Sequence, residues 1–160
     1  PDYYAGLIAN VAIGGSVLSS KLGMELRDRL GLVYEVGSVF FETTKGDGLW
    51  GISFDVDPDR ADLAIDRTRD IIRRVANEGL TEEEALFHRA TTRGAFIVSL
   101  SIPLALAGRI LDAEFFGIGH DYIYEFGNII DRVTPDAINR AIRDHFFADR
   151  LLTVEVGPDN

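Results

Sequence analysis

The alternation of apolar and polar residues over positions 49–56 is the sequence feature that most constrains the fold. One face of this segment holds four large apolar side chains: Trp50, Ile52, Phe54 and Val56. Strict alternation is typical of a strand with one buried face. Residues 33–43 are rich in Val, Tyr and Phe, and the Lys-Gly-Asp-Gly stretch at 45–48 has the composition of a turn. The sequence therefore predicts a β-hairpin that needs a covering layer on one side.

Helical patterns lie before and after this hairpin. Apolar residues recur at helical spacing over 3–13 and over about 19–29, and Gly14-Gly15-Ser16 separates the two segments. Gly31 is expected to close the second helix as a left-handed C-cap. These features predict two helices that lead directly into the hairpin.

Capping residues mark three helix starts after the hairpin. Asp57 precedes a proline, Thr134 precedes another, and Thr81 with Glu84 has the spacing of a capping box. The expected helices run over 58–77, about 81–100, 103–116, 120–132 and from Pro135, and a final strand is expected over 151–156.

The resulting order, α-α-β-β-α-α-α-α-α-β, predicts an α+β fold in which helices pack on one face of an antiparallel sheet. Residues 1–160 are expected to form a single domain. Because three strands are few for so many helices, we expect a further strand just upstream of residue 1. The chain would then be a segment of a longer protein.

The amino-acid composition argues against several classes of partner and site. The chain has 16 basic and 26 acidic residues, a net charge of −10, which disfavours nucleic acid as a partner. It has no cysteine, which excludes disulfides, thiolate metal sites and cysteine nucleophiles. The longest uncharged stretch, 3–20, is interrupted by Asn10, Gly14 and Gly15, so no membrane span is expected.

Metal and nucleophile signals are weak. The histidines, His88, His120 and His145, lack the spacing that places two ligands on one helical turn. Glu84 and His88 are four residues apart, but a zinc site needs at least three protein ligands, so no metal is expected in this segment. No Gly-x-Ser-x-Gly motif is present. The glycines at 14–15 could open an anion-binding loop, although a tight helix–helix connection is the favoured interpretation.

Arg27 and Tyr34 form the most informative pair. Arg27 lies in the last turns of the second helix, and Tyr34 lies at the start of the strand after Gly31. A permanently charged guanidinium and a phenolic O–H could together hold a carbonyl oxygen that gains negative charge during a reaction. The residues alone leave a structural interpretation open, because an arginine complements a helix C-terminus and a tyrosine suits a strand.

The block DYYAGLIANVAIGGSVLSSKLGMELRDRLGLVYEVGS over 2–38 carries part of a wider resemblance, and residues 14–36 within it are the most specific part. Four further segments carry the resemblance: GLTEEEALFHRA, AGRILDAEFFG, VTPDAINRAIRDHF and LLTVEVGP. Together these segments resemble the C-terminal domain of the inverzincin metallopeptidases. That family includes pitrilysin, insulin-degrading enzyme and the mitochondrial processing peptidase. The resemblance implies a half-shell domain that lines a closed substrate chamber, with zinc held by another domain or subunit. The family's substrate-holding arginine and tyrosine match Arg27 and Tyr34.

This sequence lacks the His-x-x-Glu-His zinc motif of the active domain. The resemblance therefore implies a non-catalytic domain that clamps a peptide substrate and is inactive on its own. Two other interpretations remain open. One is a purely structural subunit, as in core proteins of a respiratory complex with this fold. The other is an assembly module that self-associates through an open sheet edge.

Overall fold

Helices and one antiparallel hairpin make up the fold in the computed structural model, which describes residues 2–41 and 48–157. The strands are β1, Val33–Phe41, and β2, Leu49–Val56. Two π-helical segments, Val11–Gly15 and Gly23–Arg29, precede them. The α-helices are α1 Tyr3–Asn10, α2 Ala61–Glu78, α3 Glu82–Ser99, α4 Pro103–Phe115, α5 Tyr122–Asp131 and α6 Pro135–His145.

The hairpin buries one face, as the alternation predicts. Trp50, Ile52, Phe54 and Val56 of β2 pack against the hydrophobic core that α1, α2, α3, α5 and α6 supply. The opposite face of the hairpin is exposed. The α+β class with helices on one face of the sheet is therefore confirmed. The predicted turn over 45–47 and the strand end at 42–43 lie outside the described residues.

The predicted helix caps form. The Thr81 hydroxyl accepts the Glu84 N–H at 3.2 Å, and the Glu84 carboxylate accepts the Thr81 N–H at 3.0 Å. The Thr134 hydroxyl accepts an N–H from the first turn of α6 at 3.2 Å. Asp57 caps a 3₁₀ turn, and α2 proper begins only at Ala61. Local capping chemistry thus placed these helix starts to within a few residues.

A buried polar network docks α1 onto the hairpin. The Asn10 amide oxygen accepts the Ser38 hydroxyl and the Trp50 indole N–H, each at 2.7 Å. The Asn10 amide nitrogen donates to the Ser38 carbonyl at 3.2 Å. Because a buried polar group without a partner is costly, these bonds fix the position of the helix relative to both strands.

Gly14 and Gly15 permit this close approach. A Cβ on Gly14 would lie 2.7 Å from the Ser38 hydroxyl oxygen, and one on Gly15 would lie 2.8 Å from the Asn10 amide nitrogen. Any larger side chain would push the helix end away from β1. The structure thus favours the packing interpretation of this glycine pair over an anion-binding loop.

The predicted final strand over 151–156 is wrong. This segment has no strand structure, and its alternate apolar side chains, Leu152, Val154 and Val156, are 78–97% exposed. A strand needs a partner edge for its backbone hydrogen bonds, and in the described part of the chain β1 and β2 pair only with each other. The strand expected upstream of residue 1 stays a prediction.

The α3 and α4 helices meet at a sharp bend of 107°. Together they meet the length and apolarity criteria of a membrane-spanning segment, but with this bend between them. Within residues 2–41 and 48–157, no single helix is both long and apolar enough to span a bilayer.

Candidate functional site

A tight corner joins the second π-helical segment to β1 and carries both predicted site residues. Gly31 adopts a left-handed conformation with φ of +56°. Its N–H donates to the Arg27 carbonyl at 3.1 Å, and the Leu32 N–H donates to the Leu26 carbonyl at 2.8 Å. The predicted glycine C-cap is therefore present, and it directs the chain from the helix into the strand.

Arg60, in the 3₁₀ turn that follows β2, also contacts this corner. Its guanidinium donates to the Gly31 carbonyl at 3.0 Å and to the Leu30 carbonyl at 3.3 Å. These bonds satisfy carbonyls that the end of the helix leaves open. No local sequence pattern predicts this contact, because Arg60 lies 29 positions after Gly31.

Arg27 is half-buried at this corner, with 23% of its side chain exposed. Its Nε donates to the Asp28 carboxylate at 2.7 Å, and its terminal nitrogens make no hydrogen bond with the described residues. The hydrogen bond with Asp28 is the main cause that raises the pKa of Arg27, and the electrostatic effect of Tyr34 adds to it. Four N–H donors of the guanidinium remain for a ligand.

Tyr34 lies in a β-bulge. The register of the hairpin shifts between Val33 and Val36, so Tyr34 and Glu35 together face Asp55. A bulge turns side chains out of the regular alternation, and Tyr34 is 91% exposed. This bulge was not predicted from the sequence. A signal was present, since the apolar residues Val33 and Val36 are three positions apart instead of two.

Histidines and acids in the described part do not converge on a metal site. His88 is buried in α3, His120 lies beside Glu114 after α4, and His145 pairs with Asp2 at the end of α6. Across residues 2–41 and 48–157, no group of three or more metal-ligating side chains comes together. These residues therefore do not fit a zinc ion.

Glu84 takes part in helix capping, and His88 in core packing. Glu84 completes its capping box and pairs with Lys21, which ties α3 to the segment before the second π-helix. Burial is the main cause that lowers the pKa of His88, and the charge of Glu84 only partly offsets it. A buried, neutral histidine beside a helix cap is expected to act as a core residue.

One cavity among the described residues lies away from this corner. A cavity of about 580 Å³ lies between the start of α1 and the connection from α5 to α6, where Tyr4, Arg132 and Arg140 line it. Neither Arg27 nor Tyr34 borders this cavity. The two candidate residues lie on either side of the Gly31 corner, apart from this cavity.

Comparisons with known proteins point to one family. The family model described as the peptidase M16 inactive domain matches residues 1–92, more than half of the chain. An uncharacterized zinc protease of Mycobacterium tuberculosis is 27% identical over 151 residues, which cover 94% of this chain and 34% of that protein. The chain thus spans about one third of the length of this curated relative.

Solved structures share the fold. The crystal structure of a peptidase M16 inactive domain from Pseudomonas fluorescens matches with a TM-score of 0.78 at 20% identity, over 94% of this chain and 35% of that one. A chain of complex III2 from Candida albicans, solved with Inz-5 bound, matches with a TM-score of 0.74 at 16% identity, over 90% of this chain and 36% of that one. At these identities the likeness concerns the fold alone.

Proposed function

The chain belongs to the family of the peptidase M16 inactive domain, and from this membership we propose that it is the non-catalytic domain of a zinc metalloendopeptidase. In this role it forms part of the wall of the substrate chamber. It clamps the peptide backbone near a zinc ion that another domain or subunit holds. Family membership confirms the resemblance of the block over 2–38, which lies within the matched residues.

The proposed clamp consists of Arg27 and Tyr34. The terminal N–H groups of Arg27 and the phenolic O–H of Tyr34 donate to a carbonyl oxygen of the bound peptide. Donors that are already in place favour an oxygen that becomes more negative as the reaction proceeds. The positive charge of Arg27 strengthens that preference, because charge-assisted hydrogen bonds are stronger than neutral ones.

One observation supports this proposal above the others: the tight corner at Gly31 lies between the helical turn that carries Arg27 and the bulge that carries Tyr34. Tyr34 is 91% exposed, and the terminal nitrogens of Arg27 donate to no described residue. The bonds from Arg60 to the Leu30 and Gly31 carbonyls hold the corner in place. Preorganisation of this kind lowers the entropy lost on binding.

The test of the clamp uses Arg27→Ala and Tyr34→Phe in the full assembly that contains the zinc-bearing domain. We expect kcat/KM for peptide hydrolysis to fall about 10²-fold or more for Arg27→Ala, the effect of removing one preorganised oxyanion donor. Tyr34→Phe removes only the hydroxyl, and it should also lower turnover. The thermal stability should change little, because the Arg27–Asp28 pair lies at the surface.

Arg29→Ala is the matched control. Arg29 lies in the same helical segment and pairs with Glu25, four residues earlier. Its loss should leave turnover nearly unchanged. If Arg27→Ala lowers the melting temperature while the specific activity of the folded fraction stays at the wild-type level, the clamp proposal is wrong.

A second test uses the 160-residue chain by itself. We expect no peptide hydrolysis with added zinc, because the described residues supply no zinc ligands that converge. Hydrolysis that a chelator abolishes would contradict this assignment.

A structural subunit without peptidase activity is the second candidate function. The fold similarity to a chain of complex III2 from Candida albicans favours it. The peptidase function requires a His-x-x-Glu-His motif in the remaining chain or in a partner subunit, whereas the structural function does not. If neither carries the motif and the purified assembly cleaves no peptide, the structural role is correct.

Self-association is a further candidate. In the described part of the chain, each strand of the hairpin has one edge without a partner strand, and such edges invite pairing with another chain. Light scattering of the 160-residue chain across a concentration series tests this idea. A constant monomer mass would exclude it.

A further inference from the structure

The cavity between the start of α1 and the connection from α5 to α6 has the size of a small-molecule site. Its volume of about 580 Å³ lies within the range of about 300–1,000 Å³ that ligand pockets occupy. Part of its wall is apolar and comes from α1, α5, α6 and the connection: Ala5, Ile129, Val133, Ala137 and Ala141. Because three of these residues are alanines, the apolar wall leaves room for the body of a ligand.

Two arginines at this cavity lack the partners that most other arginines have. Arg132 and Arg140 line the cavity, and neither forms a hydrogen bond or an ion pair with a described residue. By contrast, Arg27 and Arg29 each hold a carboxylate, and Arg60 holds two carbonyls. A guanidinium is charged at every physiological pH and offers five N–H donors. Two of them on one concave surface therefore favour an anion.

Two acids at the same cavity limit the charge of that anion. Asp144 lies one turn after Arg140 on α6, about 6 Å along the helix axis, and no ion pair joins these two described side chains. Asp2 also lines the cavity, and its carboxylate is bonded to His145. A ligand with one negative charge gains from the arginines, whereas a second negative charge would be repelled by Asp144 and Asp2.

We propose that this cavity binds a small monocarboxylate with an apolar body. The carboxylate accepts hydrogen bonds from Arg132 and Arg140, and the body packs on the alanines and on the half-buried ring of Tyr4. The proposal does not depend on the peptide clamp, because neither Arg27 nor Tyr34 borders the cavity. Such a ligand joins α1 to α6, and a ligand that binds only the folded chain stabilises it.

Titration of the isotopically labelled 160-residue chain with 4-phenylbutyrate, followed by NMR, tests the site. We expect a Kd of about 1 mM, with the largest shifts at the amides of Ala137 and Ala141, and a higher melting temperature at saturating ligand. The uncharged amide 4-phenylbutyramide has nearly the same shape and should bind about tenfold more weakly. Phenylsuccinate, which carries a second carboxylate, should also bind more weakly than 4-phenylbutyrate.

A free acid and the carboxyl end of a peptide share this chemistry. N-acetylphenylalanine represents the peptide end in the same titration. If it binds tighter than 4-phenylbutyrate, the natural source is a peptide carboxyl end, and the reverse order indicates a free acid.

Substitutions on α6 and at its start identify the groups that bind. Arg132→Ala and Arg140→Ala should each raise the Kd for 4-phenylbutyrate about fivefold or more, because each removes a charged donor. Arg143→Ala is the matched control: Arg143 is also exposed on α6 without a partner among the described residues, but it does not line the cavity. Asp144→Asn should reduce the discrimination against phenylsuccinate. Ala137→Leu should fill the cavity and abolish binding, and leucine suits a helix.

The outcomes decide the proposal even if Ala137→Leu fails to fold, because the arginine variants change exposed side chains. Equal affinity for the acid and the amide, or an equal rise in Kd for Arg140→Ala and Arg143→Ala, overturns it. The absence of saturable shifts at α6 also overturns it. Arg27→Ala should leave the Kd for 4-phenylbutyrate unchanged, so a failure of this site leaves the clamp to its own test.

Discussion

Asn10→Ala should destabilise the fold more than most single substitutions on a helix. The side chain joins α1 to both strands of the hairpin through Ser38 and Trp50. Alanine leaves the Trp50 indole N–H and the Ser38 carbonyl without these partners. The Ser38 hydroxyl keeps a longer contact, since the Asn10 backbone carbonyl lies 3.5 Å away.

The expected loss of stability arises because the Trp50 indole N–H and the Ser38 carbonyl lose their hydrogen-bond partner. A polar group that is buried without a hydrogen bond costs about 1–3 kcal/mol. Trp50 is only partly buried, so water can compensate part of its loss. We therefore expect the free energy of unfolding to fall by about 2–4 kcal/mol, a large part of the 5–15 kcal/mol typical of a domain.

Equilibrium unfolding in urea, followed by tryptophan fluorescence, measures this loss. Trp50 is the sole tryptophan and packs edge-on against Phe146, so its emission reports on the network itself. Asn128→Ala in α5 is the matched control, because Asn128 is exposed and should change stability by less than about 0.5 kcal/mol.

Asn10→Leu separates hydrogen bonding from volume, since leucine fills a similar space but cannot bond. We expect it to be at least as destabilising as Asn10→Ala. A loss below about 1 kcal/mol for Asn10→Ala, or recovery of stability in Asn10→Leu, would refute the claim that these hydrogen bonds hold the helix to the sheet.

Other substitutions test the packing and the caps. Gly14→Ala should lower stability by about 1–3 kcal/mol through overlap with Ser38, whereas Gly94→Ala, with open space at its Cβ, should be neutral or stabilising in a thermal melt. The lowered pKa of His88 means that the unfolded chain binds a proton which the folded chain does not. Stability should therefore fall as the pH drops below the ordinary value of 6.5, and a slope unchanged in His88→Gln would contradict this cause. Thr81→Ala should cost about 1 kcal/mol by urea unfolding, and no loss would argue against the capping box.

Much of the fold was predictable because its signals are local. The capping box of Thr81 and Glu84, the C-cap at Gly31 and the alternation over 49–56 each depend on residues within one or two turns of one another. Backbone conformation and side-chain reach act over that distance, so sequence spacing alone indicates the structure. The peptidase M16 family assignment also follows from the sequence, through the block over 2–38.

The positions of Arg27 and Tyr34 were only partly predictable. A helix that leads directly into a strand places both near one corner, and the sequence shows that. The bulge that exposes Tyr34 and the bonds from Arg60 that brace the corner depend on β2 and on the segment after it. Their role as a clamp stays a prediction until the variants are measured.

By itself, the sequence determined the helix starts, the one-sided hairpin and the α+β class, because these arise from interactions between neighbours along the chain. Only the tertiary structure decided that residues 151–156 form no strand, that Gly14 must lie against Ser38, and that the bulge faces Asp55. Each of these depends on which distant segment is close enough to pair or to collide. An alternating pattern encodes the capacity for a strand, but a strand forms only where another edge supplies its hydrogen bonds.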